Sequence, residues 1–222
     1  MTRPAHSRNP AWWRSAAAGV LAGGAAGAIA WMFWQQDLRY ARPTPAPAGW
    51  RRPAVGTAVP LPAALERLRT DRPGRPMLLH FVNPSCPCSR FNVDHVRALV
   101  SRFRDAVTVV AVLADGDPAA MRDAYQGLGL DVPHYVDADR RLAEAVGVYA
   151  TPQAAILDGA GRVYFVGNYN RTRYCHDRQT EFARLALEAA VAGAPPPAMV
   201  PAAALAYGCP LPARRLADGA GR

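Results

Sequence analysis

A chain of 222 residues has room for one domain of ordinary size with a targeting segment and tails, and with 50% of its residues hydrophobic it can build a real core. Its formal charge of +9 rests on 26 basic residues, all arginine. Basic runs go no further than pairs such as Arg51-Arg52 and Arg214-Arg215, with no basic helix face interleaved with aromatics, so the charge describes a solvated surface and excludes a nucleic-acid partner. The four cysteines, Cys86, Cys88, Cys175 and Cys209, are too few for a disulfide framework and too irregular for paired zinc knuckles, which leaves reactivity as their use.

In chain order, residues 1–14 carry Arg3, Arg8 and Arg14, and the twenty residues from Ser15 to Trp34 hold no charge. At about 1.5 Å per residue such a helix crosses a hydrocarbon core of about 30 Å, so residues 15–34 are expected to be a transmembrane anchor contacting the lipid bilayer. Trp12, Trp13, Trp31 and Trp34 bracket the span at the two headgroup levels. A cleaved signal peptide is the rival, with Ala28-Ile29-Ala30 as its site, but the apolar run continues past that site through Trp34. The expected arrangement is a single pass of the cytoplasmic membrane, amino terminus inside and the folded part on the periplasmic side. Gly19, Gly23 and Gly27 share one helix face, which points to a homodimer through the span. Residues 35–57 are rich in Pro, Ala and Arg without apolar periodicity and are expected to form a semi-rigid stalk.

After a short helix near Ala63 to Arg69, the run Met77-Leu78-Leu79-His80-Phe81-Val82, ended by Asn83-Pro84, predicts a strand buried on both faces. Phe91, Val96, Leu99, Val100 and Phe103 then recur at helical spacing, so Cys86 and Cys88 fall at a strand-to-helix turn. Val107 to Leu113 predicts a second strand, Pro118 to Leu128 a helix, and Arg140 to Val146 a short helix closed by Gly147. Gln153 to Leu157 and Arg162 to Val166, joined by Asp158-Gly159-Ala160-Gly161, predict an antiparallel hairpin, followed by a helix from about Asp177 to Val191. Residues 194–222 form a Pro/Ala-rich tail with Cys209.

This order of elements, with Val148-Tyr149-Ala150-Thr151-Pro152-Gln153 leading into the hairpin, resembles the thioredoxin-like superfamily, in particular its membrane-anchored thioredoxin and redoxin members (TlpA-like or AhpC/TSA-like). The similarity covers roughly residues 58–193, and Tyr207-Gly208-Cys209 resembles the Gly-Cys ending of some redoxin-type proteins. It implies an α/β thioredoxin-like fold, a central mixed sheet flanked by helices, with Pro152 cis and lying against the reactive cysteine. It also implies thiol–disulfide exchange with protein thiols and disulfides, the substrate chain held by Thr151, Pro152 and Pro87, and no cofactor.

Cys86 is the expected nucleophile, because backbone N–H groups and the positive end of a helix dipole stabilise a thiolate at a helix start. Pro87 suits the first helical position and Arg90 stands one turn in. The superfamily's Cys-x-x-Cys is broken here, with Ser89 at the fourth place and the second thiol at Cys88. Cys88 and Cys175 are the candidate resolving residues. Cys175 is favoured because the hairpin returns its following loop to the Pro152 end, and Cys209 is reachable by a longer route. A Cys175–Cys209 structural disulfide, a thiol peroxidase, a non-catalytic scaffold, and a copper-handling module joining Cys86 and Cys88 with His80, His95, His134 or His176 stand as alternatives. No metal ligand set has a diagnostic spacing. The peroxidase pattern Pro-x-x-x-Thr-x-x-Cys meets Leu79 and Asn83 instead.

Overall fold

A computed structural model of the chain describes residues 11–36, 38, 42–114, 117–171 and 177–211. Two compact units emerge, Met1–Tyr40 and Ala41–Arg222. The first is built on helix α1 (Ala11–Gln36), whose segment Trp12–Gln35 has a mean hydropathy of 1.6 and is long and apolar enough to cross a membrane. Along this helix a Cβ added at Gly19, Gly23 or Gly27 meets nothing within 4 Å.

The second unit begins with α2 (Ala63–Thr70), followed by β1 (Met77–Val82), α3 (Pro87–Phe103), β2 (Thr108–Leu113) and α4 (Pro118–Gln126). Then come β3 (His134–Val136), α5 (Arg141–Val146), β4 (Ala150–Thr151), β5 (Gln153–Leu157), β6 (Val163–Gly167), α6 (Phe182–Val191) and β7 (Cys209–Pro210). Five strands form one sheet in the order β3-β2-β1-β5-β6. β1 runs parallel to β2 and β2 to β3, whereas β5 is antiparallel to β1 and to β6. This is the thioredoxin-like mixed sheet that the element order implied.

Local chemistry sets the boundaries. β1 and β2 are buried at every residue, as continuous apolar runs in the middle of a covered sheet must be. Pro118 opens α4, and the Asp117 carboxylate caps it by accepting from the Ala119 and Ala120 N–H groups at 3.0 and 2.9 Å. Gly147 closes α5 at a φ of 74°. On one sheet face Leu78 and Val82 pack with Val93, Val96, Leu99 and Phe103 of α3, Tyr125 of α4, and Phe182 and Leu187 of α6. On the other, Met77, Leu79 and Phe81 pack with Leu65 of α2 and with Leu142 and Val146 of α5.

The structure departs from the sequence expectations in five places. β3 is an added edge strand. Phe91 is 55% exposed rather than part of the buried face of α3. The last helix is split into a 3-10 turn, Arg178–Thr180, and α6. The stalk is not wholly an extended spacer, since Thr44 is buried and Trp50 packs edge-on against Tyr149 at 4.8 Å. Nor is the tail appended to a domain ending at 193, because Ala203 and Ala206 are buried and β7 pairs with β4.

Candidate active site

Cys86 sits at the N-cap of α3 in extended backbone (φ −83°, ψ 130°), with Pro87 at the first helical position. Its N–H donates to the Asn83 carbonyl at 3.0 Å, and its own carbonyl accepts from the Ser89 N–H at 3.1 Å. The turn is tied a second time by Ser89, fully buried, whose Oγ accepts from the Asn83 N–H at 3.3 Å. The Asn83 side chain in turn accepts from the Ser85 N–H at 3.0 Å. Ser89 therefore holds the backbone on which Cys86 is presented. Cys86 and Cys88 are each 5% exposed; Pro87 and Arg90 face solvent.

Across from this turn lies the Thr151-Pro152 peptide, which is cis as the resemblance implied. Thr151 is buried and opposes Cys209 in the β4–β7 ladder, while Ala150 opposes Pro210. The ladder continues as the Leu211 N–H donates to the Tyr149 carbonyl at 2.8 Å. Gly208 makes the approach possible: its φ is +149°, and a Cβ there would lie 2.1 Å from the Thr151 carbonyl oxygen.

Two further contacts hold the tail. Thr44 Oγ1 donates to the Gly208 carbonyl at 2.9 Å and accepts from the Gly208 N–H at 3.1 Å. Asn168, buried at the end of β6, donates through Nδ2 to the carbonyls of Ala202, at 3.1 Å, and Leu205, and its N–H donates to the Ala203 carbonyl at 2.9 Å.

These constraints deliver Cys209 to Cys86, and the two are joined as a disulfide with S–S 2.13 Å and Cα–Cα 7.0 Å. Cys88 stays outside the bond, yet the three Sγ atoms of Cys86, Cys88 and Cys209 lie within 4.8 Å of one another. Neither a Cys86–Cys88 bridge nor a Cys175–Cys209 bridge is formed. Cys175, the favoured resolving residue, and His176 fall outside the described residues.

The histidines do not join the sulfurs among the described residues. His80, on β1, is fully buried, shares a 2.6 Å hydrogen bond between Nδ1 and the Tyr169 hydroxyl, and meets that ring edge-on. Burial, with a smaller push from His95, drives its pKa down to about 3, so the ring is neutral; burial raises the Tyr169 hydroxyl well above its usual range. His95 packs edge-on against Tyr169, and His134 is tilted against Tyr125. Sequence reasoning missed Thr44, Asn168 and Gly208. Only the Gly208-Cys209 pair carried a signal, a residue free to adopt positive φ next to a thiol.

Residues 59–210 match the family described as a domain of unknown function, DUF6436. The chain belongs to this family. The matched stretch runs from the start of the folded core to β7 and includes Cys86, Cys88 and Cys209.

Among solved structures, the fold is similar to that of a hypothetical protein from Sinorhizobium meliloti 1021, 19% identical over 73% of this chain and 96% of that one, with a TM-score of 0.59. It is similar also to an uncharacterized conserved protein from Geobacillus kaustophilus, 20% identical over 76% and 93% of the two chains, with a TM-score of 0.57. The thioredoxin domain of a thiol-disulfide oxidoreductase from Bacteroides vulgatus matches at 16% identity over 51% and 88%, with a TM-score of 0.43. No curated protein matches.

Proposed function

We propose that this chain is a membrane-anchored, extracytoplasmic thiol–disulfide oxidoreductase in which Cys86 is the nucleophile and Cys209 the resolving thiol. The observation that carries the reading is the Cys86–Cys209 disulfide set between the start of α3 and the Thr151-Pro152 peptide. In the reduced protein the Cys86 thiolate attacks one sulfur of a substrate disulfide, forming a mixed disulfide and releasing the other sulfur as a thiolate that takes up a proton. The Cys209 thiolate then attacks the Cys86 sulfur, the second substrate sulfur leaves, and the Cys86–Cys209 bond forms. The substrate gains two electrons and the protein loses two; an external dithiol reverses the balance.

The N-terminus of α3 favours the Cys86 thiolate through the positive end of its dipole. Thr151, Pro152 and Pro87 form the wall along which a substrate chain lies once the tail has moved. Placement outside the cytoplasm is supported by the apolar length of α1 and by a disulfide of a kind that persists in oxidising compartments. Close packing of two copies of α1 along Gly19, Gly23 and Gly27 belongs to the same proposal.

The test uses the full chain in detergent, equilibrated against glutathione buffers of graded potential, acid-quenched and alkylated for mass spectrometry. Cys86 and Cys209 are expected to titrate together as one two-electron couple. Reduction of the disulfides of insulin is expected to be lost in Cys86→Ser, while Cys209→Ser accumulates a mixed disulfide on Cys86. Unchanged turnover in Cys86→Ser, or a bridge that does not equilibrate with glutathione, overturns the reading.

A further inference from the structure

Cys88 has no part in that exchange, although it is buried on the first turn of α3 within 4.8 Å of both sulfurs that have one. Once a dithiol has reduced the Cys86–Cys209 bond, giving two thiols here and one disulfide in the reductant, three thiols converge on one point. They come from two directions, Cys86 and Cys88 from the helix start and Cys209 from β7.

β7 has anchors besides the disulfide. The ladder to Thr151, the Leu211 to Tyr149 hydrogen bond and the paired Thr44–Gly208 contacts are all made without the S–S bond. Cys209 is therefore held beside the other two thiols in the reduced protein.

We propose that the reduced protein binds one Cu(I) ion through the Sγ atoms of Cys86, Cys88 and Cys209. The donor set selects the metal. Three sulfurs around an ion at about 2.3 Å stand about 4.0 Å apart in a trigonal plane, inside the observed spread, with the Cys86–Cys209 pair moving apart as their bond opens. Soft thiolates favour Cu(I), whereas structural zinc takes four ligands, and among the described residues no histidine or carboxylate joins the three sulfurs. Binding releases three thiol protons and leaves the site with two net negative charges, which the N-terminus of α3 favours. When a substrate disulfide oxidises Cys86 and Cys209 to their own disulfide and is itself reduced to two thiols, two ligands are removed and the ion is expelled, so metal and disulfide exclude each other.

The full chain in detergent, reduced and held under argon, is titrated with Cu(I) against bicinchoninate, and the loaded protein is studied by copper X-ray absorption. The expected result is one Cu(I) per chain with three sulfur neighbours. Cys88→Ser and Cys209→Ser are each expected to weaken binding more than about 100-fold, beyond what loss of an outer-shell partner causes, while Cys175→Ser is not. Equal affinity in wild type and Cys88→Ser, two sulfur neighbours, a requirement for Cys175, or tighter capture of Zn than of Cu(I) against matched competitors overturns the proposal. Wild-type protein that equilibrates with glutathione but takes up no Cu(I) sinks the metal site alone; one that takes up Cu(I) but does not equilibrate sinks the exchange reading alone.

Discussion

Thr151 and Cys209 face each other across an antiparallel ladder of two residue pairs, so the tail of the chain occupies the edge beside the cis peptide. A disulfide partner for Cys86 is thus presented as a strand, with backbone pairing on one side and the sulfur on the other. What controls that strand controls the sulfur chemistry.

Gly208 is the position where this is most exposed to test. A methyl at Gly208 meets the Thr151 carbonyl at 2.1 Å and Pro152 Cδ at 3.3 Å, and it sits at positive φ, so Gly208→Ala forces β7 off β4. Overpacking of this kind costs about 1–3 kcal/mol, which lowers the effective concentration of Cys209 at Cys86 by about 5- to 150-fold. In glutathione buffers the variant is expected to need a correspondingly more oxidising poise for half-oxidation. An unchanged midpoint would show that β4–β7 pairing does not position Cys209.

Asn168 acts on the same tail from the far end of β6. Asn168→Ala leaves the Ala202 and Leu205 carbonyls without their donor, at a cost of about 1–3 kcal/mol. Amide exchange over 201–211 should accelerate by about fivefold or more, with the amides of β1 and β2 unaffected. Uniform acceleration across the sheet would mean that Asn168 supports the whole fold.

His80 gives stability a pH dependence. The ring has an ordinary pKa of 6.5 when exposed and about 3 when folded, pushed down first by burial and then by His95. Between those values the unfolded chain carries the proton and the folded one does not, so stability is full above about pH 6.5 and falls as pH drops toward 3. The slope approaches about 1.4 kcal/mol per pH unit. Urea midpoints at pH 7, 5.5 and 4.5 should fall less steeply in His80→Asn than in wild type. Parallel lines for the two proteins would refute the assignment.

The redox state should itself set stability. The Cys86–Cys209 bond spans a sequence separation of 123, and closing a loop of that size removes about 5 kcal/mol of unfolded-state freedom in the chain-entropy treatment. The oxidised chain is expected to unfold at distinctly higher urea than the reduced one, with the difference abolished in Cys209→Ser. Coincident curves would show that the ring does not form in solution.

Much of the architecture was legible because its determinants are local. The Met77–Val82 run, the Asp158–Gly161 turn and the Pro87 helix start each declare themselves within a few residues, and they put Cys86 at the strand-to-helix turn. Phe91 misled because it lies two residues from Val93, about 200° round the helix from the face that Val93, Val96, Leu99 and Phe103 bury. β3 and β7 span three and two residues, too few for a period to show. The site was legible only on its helix side. Thr44 meets Gly208 across 164 residues and Cys86 meets Cys209 across 123, and no spacing rule reaches that far.

The place of β1 in the sheet has a consequence for assembly. β1 precedes Cys86, so it lies outside the covalent ring, yet in space it separates two strand pairs that lie inside it, β2 with β3 and β5 with β6. In the reduced chain β1 is the keystone, the strand whose hydrogen bonds join the two halves of the sheet. In the oxidised chain the halves also belong to one closed loop, which limits how far they can part when the keystone is withdrawn.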